Sequence, residues 1–261
     1  MISHPIGVFD SGLGGLTVLR ALLDRLPRED FLYFADTQFL PYGDRTEAFL
    51  RERGVLIARA LARRGVKALV VACNTATAAA AEAIRDAVDL PVVAIEPAVK
   101  PATALTRSGA VAVMATTRTV ESPRFRRLVE NHAGHVRVHA QACPGLAEAI
   151  EQHGPASAEV EALLDRFVTP LGDLGIDVLA LGCTHYPWVA EAIARRMPAG
   201  VTLLDTGEPV ARQLERLLAA GGLLGGGQGR LTVATSGAPL AVTATVDRLF
   251  GAKMHVEHWE P

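Results

Sequence analysis

Along the chain, short runs of apolar and β-branched residues alternate with longer stretches in which apolar side chains return at helical spacing between charged ones. A short continuous run suits a strand buried on both faces, and the helical return suits a helix that covers it. The runs predict strands at 6–9, 31–34, 68–72, 92–95, 110–114, 136–140, 178–181, 201–204 and 231–235. Residues 45–64 set Phe49, Leu56, Ala60 and Leu61 among charges, with Gly65 where a C-cap falls, which predicts an amphipathic helix. Repeated βα units imply an α/β fold with mainly parallel sheets and ligand chemistry at the carboxyl ends of the strands. The rhythm is interrupted by the glycine-rich stretch 221–229, read as a flexible surface loop, and a domain boundary is drawn near Glu96 and Pro97. It also repeats itself. Residues 68–75, ending Ala72-Cys73-Asn74-Thr75, echo residues 178–185, ending Gly182-Cys183-Thr184-His185, each a buried strand closed by a small residue, a cysteine and a polar pair leading into a helix.

Composition narrows the choice. With 261 residues, 49% of them hydrophobic and 21% charged, the chain is long enough for a sizeable core and too apolar for disorder. A formal net charge of -2 without a block of either sign argues against nucleic acid or an anionic membrane as a partner, which leaves small molecules. Mean hydropathy is +0.24, yet apolar stretches such as 110–115 fall far short of the roughly 18 residues of a spanning helix. The start of the sequence lacks a basic flank and an apolar run, so a cytoplasmic location is expected. Cys73, Cys143 and Cys183 are an odd set without C-x-x-C spacing, hence free thiols rather than a disulfide framework or a zinc ribbon.

Chemistry concentrates at a few strand ends. Asp10-Ser11-Gly12-Leu13-Gly14-Gly15 follows the first strand and opens a helix, where bare N–H groups attract an anion. Gly12, Gly14 and a distant Asp36 partly match a dinucleotide fingerprint, but Thr17 stands at the third glycine and Asp10 would repel a pyrophosphate, which favours an amino-bearing ligand. The simpler reading makes Asp10 and Ser11 helix caps. Cys73 and Cys183 each precede a helix N-terminus, where a thiolate is stabilised; the alternative for a lone cysteine is inert packing, the reading given to Cys143. His185 can tune Cys183 or simply be structural, and residues 36–43 read as a tight turn. Thr116 and Thr119 can hold a carboxylate or cap a helix. His135 and His139 lie about 13 Å apart along one strand, too far for one metal ion, and His255 and His258 read as solvated. No metal site is expected.

Taken in order, residues 7–16, Pro41-Tyr42-Gly43, 72–76 and Gly182-Cys183-Thr184-His185-Tyr186-Pro187 resemble the glutamate racemase family over nearly the whole chain. The resemblance implies two pseudo-symmetric α/β domains, 1–96 plus 210–261 against 97–209, with the active site in the cleft between them and one catalytic cysteine from each. Inverting a stereocentre takes a base on one face and an acid on the other, which two thiols supply without pyridoxal phosphate or any other cofactor. By similarity Cys73 serves D-glutamate with Asp10 beside it, and Cys183 serves L-glutamate with His185 beside it. Asp10, Ser11, Pro41, Tyr42, Gly43, Cys73, Asn74, Thr75, Cys183, Thr184 and His185 match substrate positions, with Thr116, Thr119 and Glu151 matching weaker ones. Ala115 departs from the family, which usually has glycine there. The resemblance further implies a cytoplasmic homodimer that supplies D-glutamate for peptidoglycan. A related amino-acid racemase, such as one for aspartate, and a non-catalytic amino-acid or nucleotide binding module are the other readings.

Overall fold

The computed structural model describes residues 4–251 and 253–261. Among them run ten strands: β1 (Ile6–Asp10), β2 (Phe31–Ala35), β3 (Ala68–Val71), β4 (Val92–Ala94), β5 (Ala110–Ala115), β6 (Arg137–Ala142), β7 (Val178–Leu181), β8 (Thr202–Leu204), β9 (Leu231–Thr235) and β10 (Val256–His258). The chain divides into two compact units. The first joins Met1–Ile95 to Gly207–Pro261, and the second is the continuous segment Glu96–Thr206.

The first unit holds a six-stranded sheet in the order β10-β9-β2-β1-β3-β4, every pair parallel. Strands β1, β2 and β3 are buried at every position, so apart from Asp10 at the end of β1 their residues read as apolar runs. The helix Glu47–Arg63 starts at Thr46, whose hydroxyl accepts the Phe49 N–H at 3.2 Å, and ends before Gly65 at φ +77. Its buried seam is Leu50, Gly54, Ile57, Ala58, Ala60 and Leu61, whereas Leu56, an expected core position, is 40% exposed. Gly54 lets this helix approach Asn74–Ala87 closely, since a Cβ there would stand 3.1 Å from that of Ala80.

The second unit holds a four-stranded parallel sheet in the order β6-β5-β7-β8. Beneath the loop entering β7, the Asp177 carboxylate accepts hydrogen bonds from the hydroxyl of Thr106, the backbone N–H groups of Arg107 and Ser108 at 2.7 and 3.0 Å, and the Ser108 hydroxyl at 3.1 Å.

All nine expected strands are present, with ends displaced by at most two residues. The tenth, β10, is too short for an apolar pattern and places His258 in a strand, where its Nδ1–H donates to the Gly237 carbonyl at 3.1 Å. The glycine-rich stretch is fastened rather than loose. Lys67 Nζ donates to the carbonyls of Leu223 and Gly225 at 2.7 and 2.9 Å and pairs with buried Glu29 at 2.5 Å, while Asp30 accepts the N–H groups of Gln228 and Arg230. Gly227 is required there, because a Cβ would lie 2.5 Å from the Asp30 nitrogen.

Candidate active site

In the first unit the candidate residues meet at the carboxyl ends of β1, β2 and β3. Asp10 closes β1, and its carboxylate accepts the N–H groups of Ser11 at 2.8 Å and Gly15 at 2.7 Å and the Ser11 hydroxyl at 3.3 Å. The next two amides, of Leu16 and Thr17, bond to the carbonyls of Leu13 and Gly14. The loop thus turns the Ser11 and Gly15 amides onto its own carboxylate, which argues against the dinucleotide reading. Gly15 is needed for this closure, since a Cβ would sit 2.8 Å from that of Asp10. Asp36, the residue that would hold a ribose, is instead fully buried against Arg53 and Tyr42.

Cys73 follows β3 by one residue, Ala72, whose N–H continues the ladder to the Phe9 carbonyl at 2.8 Å. Its Sγ caps the helix Asn74–Ala87 by accepting the Ala76 N–H at 3.4 Å and lies 3.4 Å from the Ser11 hydroxyl. Burial, reinforced by the negative charge of Asp10, pushes the thiol up to about 12, and the hydrogen bonds from Ser11 and Ala76 only partly oppose this. The helix terminus therefore does not deliver a standing thiolate: Cys73 rests as a thiol. Beside it the Asn74 amide is 4% exposed, and both its oxygen and its nitrogen lack a hydrogen-bond partner. Thr75, next along the helix, is equally buried. A buried amide left open at both ends costs free energy unless a ligand completes it. Pro41, Tyr42 and Gly43 form the short loop after β2; Tyr42 turns its hydroxyl inward to Asp36 at 2.6 Å, while the position a Cβ would take at Gly43 is open.

In the second unit the chemistry also gathers at strand ends. Cys183 follows β7 by one residue, and Gly182 repeats the role of Ala72, its N–H reaching the Met114 carbonyl at 2.7 Å. A Cβ at Gly182 would lie 2.8 Å from the Met114 carbonyl oxygen, so glycine is required here. After this the two motifs diverge. Cys183 is followed by a 3-10 turn, Tyr186–Val189, with Pro187 in its first turn, and this runs on into the short helix Ala190–Ala194. Instead of capping a helix, Cys183 Sγ lies 3.8 Å from His185 Nδ1, and His185 Nε2 is 2.7 Å from a Glu151 carboxylate oxygen. Burial works against the imidazolium, but hydrogen bonds to Cys183 and Glu151 outweigh it and raise His185 well above its ordinary value. Glu151, a weak candidate from sequence because it lies on a separate helix, Leu146–His153, is thus the anchor of the histidine.

Thr184 is buried beside this cysteine. The Thr116 hydroxyl accepts the Thr119 N–H and donates to the Thr119 hydroxyl, which makes Thr116 the N-cap of Thr117–Glu121. Ala115 fits without strain: it ends β5, and no described non-glycine residue has positive φ. Cys143 packs in the core with Leu146 and Leu164, a thiol pushed up to about 12 mainly by burial. Among the described residues no group of three or more His, Cys, Asp or Glu side chains is arranged to hold a metal, and no helix is long and apolar enough to cross a membrane.

Comparison with known proteins places the chain in a family. Residues 42–214 match the family model for Asp/Glu/Hydantoin racemases. Glutamate racemase of Pseudomonas paraeruginosa is 52% identical over 227 residues, 87% of this chain and 86% of that protein. The crystal structure of glutamate racemase isoform RacE1 from Bacillus anthracis superposes with a TM-score of 0.90 at 32% identity, covering 98% of this chain and 97% of the other. That of Francisella tularensis glutamate racemase in complex with D-glutamate gives 0.87 at 29% identity, covering 99% and 98%. With the parallel sheets and the paired strand-end cysteines in their matching frames, these likenesses identify the chain as a member of the Asp/Glu/Hydantoin racemase family, and so as an isomerase.

Proposed function

We propose that the protein interconverts L- and D-glutamate by two-base proton transfer at the α-carbon, with Cys73 and Cys183 addressing opposite faces of one substrate. The observation that carries this reading is the pair of buried cysteines one residue beyond a parallel strand, each joined to different proton-handling partners: Ser11 and Asp10 for Cys73, His185 and Glu151 for Cys183. One thiolate removes the α-proton, leaving the electron pair on the substrate carbon. The opposite thiol then donates its proton from the other face, so the substrate leaves inverted with all its atoms and the two sulfurs have exchanged protonation states. The reverse reaction exchanges their roles.

The cysteines differ in their resting conditions. Cys73 holds its proton, as an acid must, while Cys183 has an imidazole within reach that takes or returns a proton and is itself steadied by Glu151. By similarity Cys183 serves the L-glutamate face and Cys73 the D-glutamate face. The unpartnered Asn74 amide, with Thr75 and Thr184, supplies short polar contacts for the substrate's carboxylate and ammonium groups. Homologue names support glutamate as the substrate, and a Francisella relative was solved with D-glutamate bound. D-glutamate made in the cytoplasm by such an enzyme would feed peptidoglycan assembly.

Incubation with L-glutamate in deuterated water, followed by circular dichroism and proton NMR, tests the reading. Loss of optical activity with α-deuteration, and no change with aspartate, is expected. A folded, reduced sample that leaves L-glutamate chiral and undeuterated contradicts it.

A further inference from the structure

Arg53 lies outside every motif that points to the site, in the middle of the helix Glu47–Arg63, yet its side chain is only 12% exposed. Its guanidinium forks onto Asp36, with Nε 2.8 Å from Oδ2 and Nη2 2.6 Å from Oδ1. Asp36 is fully buried, and the Tyr42 hydroxyl donates to the same carboxylate at 2.6 Å. The Asp36 backbone N–H also donates to the carbonyl of Asp10 at 2.9 Å. Asp36 therefore ties together the end of β1 through its backbone and the turn at Tyr42 and the helix through its carboxylate. Arg53 adds a second hold, since its guanidinium carbon lies 4.2 Å from the centre of the Phe39 ring, whose backbone carbonyl accepts from Arg45 Nε at 3.1 Å.

We propose that Arg53 is a positioning residue that fixes the loop carrying Pro41, Tyr42 and Gly43 for the substrate. The inference rests on the function proposed above. A buried carboxylate persists only when paired, and the planar guanidinium fork fixes direction as well as charge in a way an ammonium cannot. Tyr42 is locked by the same pairing. Burial and the Asp36 charge raise its phenol far above the ordinary value, so it remains a donor, and its ring packs in the same core as Cys73. The Tyr42 hydroxyl is consequently spent on Asp36 and not offered to the substrate; the loop presents its backbone, held at a set distance from the Cys73 thiol. The role of Arg53 is in binding geometry rather than proton transfer.

The test is Arg53→Lys, which keeps the charge beside Asp36 and removes the fork. KM for both enantiomers is expected to rise by about fivefold or more with kcat within about twofold, the mark of lost binding shared by ground and transition states. In the substrate-free protein, amide hydrogen exchange across residues 36–44 is expected to quicken about tenfold while β1 and β3 keep their protection. A folded Arg53→Lys with unchanged KM and unchanged exchange overturns the proposal, as does a fall in kcat at constant KM. If Arg53→Lys does not fold, Tyr42→Phe, which removes only the hydroxyl, decides by the same two readouts. Should the wild-type protein be inert toward glutamate, the functional reading fails, and the exchange measurement still judges the brace.

Discussion

Cys73 and Cys183 show how far identical residues are separated by their surroundings. Burial and Asp10 push the Cys73 thiol up to about 12, so its thiolate fraction should climb about tenfold per pH unit through neutrality. Iodoacetamide labelling of Cys73, followed by peptide mapping between pH 7 and 9, is expected to accelerate accordingly; a plateau reached already near pH 7 would contradict the assignment. At Cys183 the partner is His185, held by Glu151 at 2.7 Å. His185→Asn keeps a polar group there but no titrating ring, and the chemical step is expected to slow by about tenfold or more in the direction that begins at Cys183, and less in the other. Equal losses in primary isotope-sensitive rates from both enantiomers would remove the one-sided role. Both cysteines stand out in the sequence because strand, small residue and polar pair recur around them. The cost of burial at Cys73 does not, for it depends on side chains far away in the chain.

At the scale of elements, the strands are legible because parallel strands covered on both faces are apolar along their length, as β3 and β7 are and as β1 is up to Asp10. The motif after Cys183 leads into a 3-10 turn and then the short helix Ala190–Ala194, where an α-helix directly follows Cys73, a difference that the echo between the two motifs hides. The stretch 221–229 is the surface loop expected, but its looseness is misread: glycine permits flexibility, whereas Lys67, Glu29 and Asp30, distant in sequence, fasten it. Asp177 is the comparable staple in the second unit. Burial works against the charge of this half-buried carboxylate, but the hydrogen bonds from Thr106, Arg107 and Ser108 together outweigh it and hold it down to about 2, against an ordinary 3.8. Because the folded value is depressed, its stabilising contribution is present above about pH 4 and disappears as pH falls toward 2. Asp177→Asn is therefore expected to melt below the wild type at pH 6, with the gap closing toward pH 2.5 in calorimetric scans. A gap that stays constant with pH would assign the loss to shape rather than charge.

Over the whole molecule, the first unit draws on both ends of the chain and the second is continuous in sequence between them, and each carries one of the two cysteines proposed to react. Fold class and the gathering of Cys73, Cys183 and Asp10 at strand ends could be read from sequence, since they reside in local motifs. Arg53 and the pairing of Glu151 with His185 could not, since these are contacts between elements. The central claim is that neither thiol suffices alone. It is tested most directly by racemisation rates of Cys73→Ala and Cys183→Ala from each enantiomer, with circular dichroism and melting to confirm the fold. Both variants are expected to lose about a thousandfold or more of the rate in both directions, because a full inversion needs a proton carrier on each face. A folded variant of either kind that retains even about a tenth of the wild-type rate would contradict the two-thiol mechanism.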